Sequence, residues 1–147
     1  MTTLSEAVAL AEADRGLAVV STLRADGTIQ ASLINAGVVA HPATGEPVLA
    51  FVTYGRVKLA NLRARPALTL TFRQGWQWAT VEGRAELAGP DDVPGWLVGP
   101  DQLRLLLREV FTACGGTHDN WTEYDRTMIE QARVAVLVAP TRVYSNG

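Results

Sequence analysis

The chain has 147 residues, of which 48% are hydrophobic, and it carries a net charge of −2. That size and apolar content predict one globular domain over residues 1–147, and the lack of a basic excess argues against a general nucleic-acid binder. One cysteine and two histidines exclude an internal disulfide framework and leave no plausible zinc site, so we expect no metal centre.

The start of the chain and its hydropathy bear on where the protein works. No apolar run approaches the roughly 18 residues of a membrane-spanning helix. The first residues, MTTLSEAVALAEADRG, are acidic and have a helical pattern, unlike a signal peptide. We therefore expect a cytoplasmic protein without membrane insertion.

The elements predicted in chain order are mostly strands. Apolar spacing predicts a helix over 4–14 capped by Thr3, and the turn at 25–27 predicts a hairpin between strands at 16–24 and 28–40. The remaining predicted elements are a buried strand at 48–54, a short helix at 56–65, strands at 67–74 and 76–88, helices at 101–115 and 119–132, and a strand at 133–145. Five or six sequential strands with few crossover helices predict an antiparallel β-barrel with flanking helices.

Positive charge is concentrated in one third of the chain. Residues 47–81 contain five Arg or Lys residues and no acidic residue, so the rest of the chain carries −7. In a helix that begins at Arg56, Lys58 and Asn61 lie on one face, while the leucines of the helix face the barrel. The helix N-terminus, with Arg56 and Lys58 beside it, is suited to bind a phosphate. Alternatively, these cations lie on a solvated helix face.

Two strands carry side chains suited to a heterocyclic ligand. Alternation along the strand at 76–88 places Trp76 and Trp78 on its more polar face, which predicts contact with a flat ring or a second subunit. The alternative is that both tryptophans cap the core. In the second strand, Gln30, Ser32 and Asn35 are able to hydrogen-bond the edge of a heterocycle.

The sequence offers no convincing set of catalytic side chains. No acid–base pair, Ser/His/Asp set or Cys/His set has a suitable spacing, and Cys114 is interpreted as a small buried apolar residue. A phosphate site beside aromatic walls indicates that a bound cofactor performs the reaction.

The layout resembles a known superfamily. The segments STLRADGTIQASLINAG, LAFVTYGRVKLANLRARPALTLTF and GWQWATVEGRAEL, and the closing DNWTEYDRTMIEQARVAVLVAPTRVYSNG, are similar to the FMN-binding split β-barrels of the pyridoxamine 5'-phosphate oxidase-like superfamily. The resemblance is to the actinobacterial branch that uses the 5-deazaflavin coenzyme F-420. It implies an antiparallel six-stranded split β-barrel, mainly β with flanking helices, and K-x-x-N-L-R-x-x-P is its most specific motif.

The resemblance also implies a homodimer with two cofactor sites in grooves between the subunits. Arg56, Lys58 and Asn61 are expected to hold the phosphate or polar tail of the cofactor, and Val57 to contribute its backbone. The residues expected around the ring, partly from the neighbouring subunit, are Gln30, Ser32, Asn35, Trp76, Gln77 and Trp78.

The implied function is that of an oxidoreductase that transfers a hydride from the deazaflavin to an electron-poor small molecule such as an enone, lactone or quinone. Pyridoxamine-phosphate oxidases usually have two adjacent basic residues at the phosphate turn and an arginine-rich C-terminal motif. Here Val57 precedes Lys58 and the chain ends in TRVYSNG, which favours the deazaflavin over FMN. An FMN-dependent oxidase or reductase, and a non-catalytic carrier or sensor, are the alternative hypotheses.

Overall fold

The computed structural model describes residues Met1–Gly147. It contains four α-helices and seven β-strands, with a short 3-10 turn at Glu12–Asp14. The helices are α1 (Leu4–Ala9), α2 (Arg56–Ala64), α3 (Gly99–Ala113) and α4 (Trp121–Glu130). The strands are β1 (Leu17–Leu23), β2 (Ile29–Asn35), β3 (Gly37–Ala40), β4 (Pro47–Thr53), β5 (Ala67–Gln74), β6 (Gln77–Ala88) and β7 (Val134–Ser145). None of the helices has both the length and the apolar character needed to cross a bilayer.

The strands form one antiparallel sheet in the order β2-β1-β5-β6-β7-β4-β3. Its two edge strands, β2 and β3, are consecutive in the chain and are separated only by Ala36. Seven flat strands would span about 29 Å at ~4.8 Å per spacing, whereas one linking residue spans only about 7 Å between its neighbours. The sheet must therefore curl until its edges meet at Ala36.

This arrangement corrects the prediction of a six-stranded barrel. The segment 28–40 forms two strands rather than one, because at Ala36 the chain passes from one edge of the sheet to the other. The backbone N–H of Ala36 donates to the carbonyl of Gly16 instead of to a neighbouring strand. The edges are joined by the chain but not by a ladder of hydrogen bonds, so the sheet has seven strands and is not closed.

The predicted helix over 4–14 is also too long. Thr3 caps α1 as expected, with Glu6 completing a capping box, but the α-helix ends at Ala9 and is followed by the 3-10 turn. Arg15 and Gly16 then adopt left-handed conformations, with φ of 57° and 72°, and redirect the chain into β1.

The two faces of the sheet are covered unevenly. One apolar core fills the curled interior with residues of β1, β4, β5, β6 and β7, and Leu59 and Leu62 attach α2 to it. A second core lies on the outside of β3, β4 and β7, beneath α3 and α4. Strand β4 is therefore buried on both faces, which explains its uninterrupted apolar run VLAFV. The outside of β1 and β2 has no such cover, and large apolar side chains are exposed there.

The contact between β3 and α3 requires a glycine, which provides a test of the packing. A Cβ on Gly37 would lie 2.4 Å from the carbonyl oxygen of Ala113 and 2.5 Å from its carbon. We expect Gly37→Ala to lower the free energy of unfolding by about 2 kcal/mol, because backbone cannot yield as a side chain does. Gly95→Ala is the matched control, since its Cβ would meet nothing within 4 Å. Chemical denaturation of both variants measures the difference, and equal stabilities would contradict the close packing of α3 on β3.

Candidate functional site

The structure separates the five cations of residues 47–81 into two groups. Three have partners within the chain: Arg63 makes two bonds to the carboxylate of Asp92, at 2.9 and 2.7 Å, while Arg65 and Arg73 donate to backbone carbonyls. Arg56 and Lys58, at the start of α2, make no side-chain hydrogen bond and no ion pair. The predicted anion site therefore retains these two cations.

Lys58 is the less ordinary of the two, because it is only 7% exposed and has no carboxylate nearby. Burial lowers the pKa of its ammonium group below the usual 10.5, since desolvation disfavours the charged form. Its Nζ lies 6.0 Å from the centroid of the Phe51 ring. A buried ammonium without a counter-ion costs stability, and an anionic ligand would offset that cost.

The backbone at the start of α2 adds further donors. Gly55 occupies the N-cap position and has no side chain to accept the first N–H groups, and the first turn contains no acidic residue. The N–H groups of Arg56, Val57 and Lys58 consequently point out of the helix with the positive end of its dipole. Val57 itself is exposed, so only its backbone takes part in this cluster of donors.

A chain of hydrogen bonds connects two of the predicted residues. Asn61 Nδ2 donates to Thr22 Oγ1 over 3.0 Å, and that hydroxyl donates to Gln30 Oε1 over 3.1 Å. Thr22 is fully buried and was not predicted, although its place opposite Gln30 in the hairpin register could have indicated it. Ser32 lies on the same inner face, and its Oγ is enclosed without any hydrogen-bond partner.

The other predicted residues lie at the far end of the sheet from Thr22. Asn35 is opposite Leu17, five residues from Gln30 along β2, and its side chain donates to the Arg15 carbonyl. Five residues of strand correspond to about 17 Å. Asn35 and Gln30 are therefore not brought to one point within this chain.

The tryptophan segment lies at that far end as well. Trp78 is opposite Arg73 on β5, five residues from Leu68, which is the partner of Thr22. Trp76 is 94% exposed at the tip of the β5–β6 hairpin, Gln77 is exposed beside it, and Trp78 packs edge-on against Tyr144. Trp76 is exposed and Trp78 is half-buried, and neither is close to Thr22 and Gln30 in the same chain.

The single cysteine and the two histidines have structural partners. Cys114 is buried, its Sγ donates to the Asn35 carbonyl, and burial raises its pKa to about 12, so it is a poor nucleophile. His41 bonds Glu86 over 2.7 Å, and His118 accepts from the Asn120 N–H. No group of three or more His, Cys, Asp or Glu side chains could hold a metal ion.

The donors and charges at the start of α2 all favour the same kind of ligand. The site combines uncapped backbone donors, an exposed guanidinium and a buried ammonium without a partner. A phosphate group would satisfy all three kinds of donor, and it is the ligand that such a helix terminus binds most readily. Amide and hydroxyl groups of Asn61, Gln30 and Ser32 lie along the inner side of the same end.

Comparison with known proteins gives a family and a fold. A family model described as pyridoxamine 5'-phosphate oxidase matches residues 4–146. Among solved structures, a conserved hypothetical protein from Mycobacterium tuberculosis superposes with a TM-score of 0.68 at 18% identity, over 99% of this chain and 84% of that one. An F-420 reductase superposes with a TM-score of 0.58 at 21% identity, over 88% and 90% of the two chains.

A third solved structure has a different cofactor in its description. It is a pyridoxamine 5'-phosphate oxidase-related, FMN binding protein from Nostoc punctiforme, with a TM-score of 0.60 at 14% identity over 99% of this chain and 86% of that one. At such identities the likeness establishes the fold, mainly an antiparallel sheet with flanking helices, and leaves the ligand open.

The cost of burying Lys58 can be measured without any ligand. We expect Lys58→Met to raise the free energy of unfolding of the ligand-free protein by about 1 kcal/mol near neutral pH, because it removes an unpaired buried charge and keeps the apolar stem. Lys58 has a lowered pKa in the folded state, so the penalty is complete below that pKa and disappears as pH rises toward 10.5. The stability difference from the parent protein should shrink over that range.

Thermal or chemical unfolding at several pH values measures this difference. Arg126→Met is the matched control, since Arg126 is an exposed cation on α4, and its loss should change stability by less than about 0.5 kcal/mol at any of these pH values. A Lys58→Met protein less stable than the parent would mean that the ammonium group has a stabilising partner.

Proposed function

The chain belongs to the pyridoxamine 5'-phosphate oxidase family, and from that premise we propose that it is a deazaflavin-dependent oxidoreductase. In this proposal residues 1–147 form one domain of a homodimer that binds coenzyme F-420 and reduces an electron-poor small molecule such as an enone, lactone or quinone. The observation that carries the proposal is Lys58, a buried cation without a partner at the uncapped start of α2. The F-420 reductase of the same fold supports the choice of coenzyme.

The residues at the start of α2 hold the phosphate of the coenzyme. Arg56 and Lys58 supply two positive charges, and the N–H of Val57 adds a backbone bond. Since neither cation has to leave an internal ion pair, binding breaks no existing salt bridge. Asn61 is held by Thr22 and directs its amide toward the same end of the sheet.

The coenzyme supplies the hydride, and the protein supplies position and exclusion of water. Gln30 and Ser32 line the inner side of β2, where the enclosed Ser32 hydroxyl has no hydrogen-bond partner within the chain. In this proposal the proton that completes the reduction comes from solvent.

The second subunit contributes the tryptophan end of its sheet to the site. Asn35, Trp76, Gln77 and Trp78 lie at the opposite end of the strands from Thr22 and Gln30. A two-fold axis perpendicular to the strands reverses their direction, so the tryptophan end of one copy comes to lie beside the α2 end of its partner. Trp76 and Trp78 then border the ring of the partner's coenzyme.

The outside of β1 and β2 is suited to be the interface. Val19 pairs with Leu33 across the two strands, and Leu23 pairs with Ile29. All four side chains project outward, and Ile29 and Leu33 are each 64% exposed. A continuous apolar surface on a sheet that no helix covers is typical of a protein–protein interface.

Binding of the coenzyme is the direct test. We expect the protein to quench or shift the deazaflavin fluorescence at micromolar concentrations, and Lys58→Met to weaken that binding at least about tenfold, as expected for a lost charged hydrogen bond. Parallel titration with FMN distinguishes the two cofactors, and Arg126→Met again controls for the loss of one charge. Fluorescence titration provides the dissociation constants.

Each alternative has its own outcome in this experiment. Binding of FMN but not of the deazaflavin would support the FMN-dependent enzyme, which relatives such as the FMN-binding protein from Nostoc punctiforme suggest. Coenzyme binding without turnover over a panel of activated alkenes and quinones would support a carrier or sensor. Binding of neither cofactor would remove the proposal.

The dimer has a separate test at the exposed face. We expect Leu33→Asp to fold, because the side chain is exposed. The variant should sediment as a monomer and should bind the coenzyme more weakly, although Leu33 lies on the outer face of its strand. Leu105→Asp, at an exposed position on α3, should remain dimeric and should keep its coenzyme affinity. Analytical ultracentrifugation and the same titration provide both measurements, and a monomer that binds the coenzyme with unchanged affinity would contradict a shared site.

A further inference from the structure

A cavity lies between the loop that follows β6 and the helices α3 and α4. Its volume is about 630 Å³, which is enough for a ligand of two or three rings. The apolar side chains that line it include Val93, Leu97, Leu103, Leu107, Met128 and Ile129. None of the proposed coenzyme contacts lies in this lining.

The charged groups of the cavity are paired, with one exception. Asp125 accepts two bonds from Arg108 and also lies 3.9 Å from Arg104, which in turn lies 3.5 Å from Asp101. The remaining cation is Arg133, which forms no ion pair. The cavity lining thus contains two carboxylates and two guanidinium groups, and Arg133 is the one of these four that lacks an ion-pair partner.

The surroundings of Arg133 hold its guanidinium in place but leave donors free. Its Cζ lies over the ring of Tyr54, 3.9 Å from the centroid, and Nε donates to Gln131 over 2.8 Å. No partner is present for its two terminal nitrogens. Partial burial lowers the pKa of Arg133 from its usual value, although a guanidinium stays charged at any working pH.

Tyr54 connects this cavity to the site at the start of α2. It directly precedes Gly55, the N-cap of α2, so the stacked pair of Tyr54 and Arg133 lies between the cavity and the proposed phosphate site. The ion pair of Arg63 with Asp92 also attaches α2 to the loop that lines the cavity. A molecule in the cavity would thus be a neighbour of the bound coenzyme and would not occupy its place.

We propose that this cavity binds an apolar ring compound with one anionic oxygen group that pairs with Arg133. The positive charge of Arg133 favours a carboxylate or an acidic enol, and the apolar wall of the cavity favours ring groups.

Two fluorescent probes that differ only in charge test the cavity in the cofactor-free protein. Anilinonaphthalene sulfonate is apolar and anionic, and phenylnaphthylamine is the same molecule without its sulfonate. We expect both to bind, and we expect Arg133→Met to weaken the sulfonate about tenfold while leaving the neutral probe nearly unchanged. Arg126→Met, which removes an exposed charge from α4, should affect neither probe.

Three results would overturn the proposal: failure of the sulfonate to bind, equal weakening of both probes by Arg133→Met, or weakening of the sulfonate by Arg126→Met to the same extent. Retained binding of the neutral probe shows that the Arg133→Met protein is folded.

Titration of coenzyme F-420 in the presence of saturating sulfonate is the second measurement, and both molecules should bind together. Displacement of the coenzyme by the sulfonate would mean that the cavity belongs to the coenzyme site.

The same measurements separate this inference from the proposed function. If the sulfonate depends on Arg133 but coenzyme F-420 does not bind at all, the anion site in the cavity stands and the deazaflavin hypothesis fails. If the coenzyme binds and the sulfonate does not, the proposed function stands and the assignment of the cavity fails.

Discussion

The short link at Ala36 is the constraint on which the rest of the fold depends. It joins the two edge strands of a seven-stranded sheet, and the sheet can satisfy it only by curling on itself. The link is held on one side by the bond from its N–H to Gly16, where a Cβ would lie 2.0 Å from the Ala36 carbonyl oxygen. On the other side Gly37 allows α3 to approach. The curled sheet then creates an inner core and an end on which α2 can dock.

Charge placement follows from that architecture. Helix α2 lies on the inner core through its leucines, so the side chain of Lys58 is drawn into a largely apolar environment while its neighbours Arg63 and Arg65 find partners at the rim. Arg133 has a similar position on the other side of Tyr54. In both cases a cation is partly removed from water without a carboxylate to balance it. Such an arrangement costs stability in the free protein, and it suits a protein that binds anionic groups.

The uneven covering of the sheet has a second consequence. Helices α3 and α4 cover β3, β4 and β7, but the outside of β1 and β2 carries apolar residues and no cover. The same strands hold Gln30 at one end and Asn35 at the other, about 17 Å apart. A single copy therefore has an uncovered apolar surface and its proposed ligand contacts at two separate ends, and the proposed association of two copies would address both.

Local patterns determined much of this protein. The Asp-Gly hairpin, the Thr3 cap, the two leucines of α2 and the two-face burial of VLAFV can all be read from spacing and turn chemistry, because neighbours within a few residues decide them. The cluster of basic residues at α2 is likewise visible in the sequence. The split of residues 28–40 at Ala36 could not be read in this way, since its cause is the curl of the whole sheet.

Only the tertiary structure decided which cations remain without partners, because Asp92 lies 29 residues from Arg63 and is brought to it by the fold. The same holds for Thr22 between Gln30 and Asn61, and for the cavity beside Tyr54 and Arg133: these contacts depend on strand pairing and packing between distant segments, which local sequence does not encode.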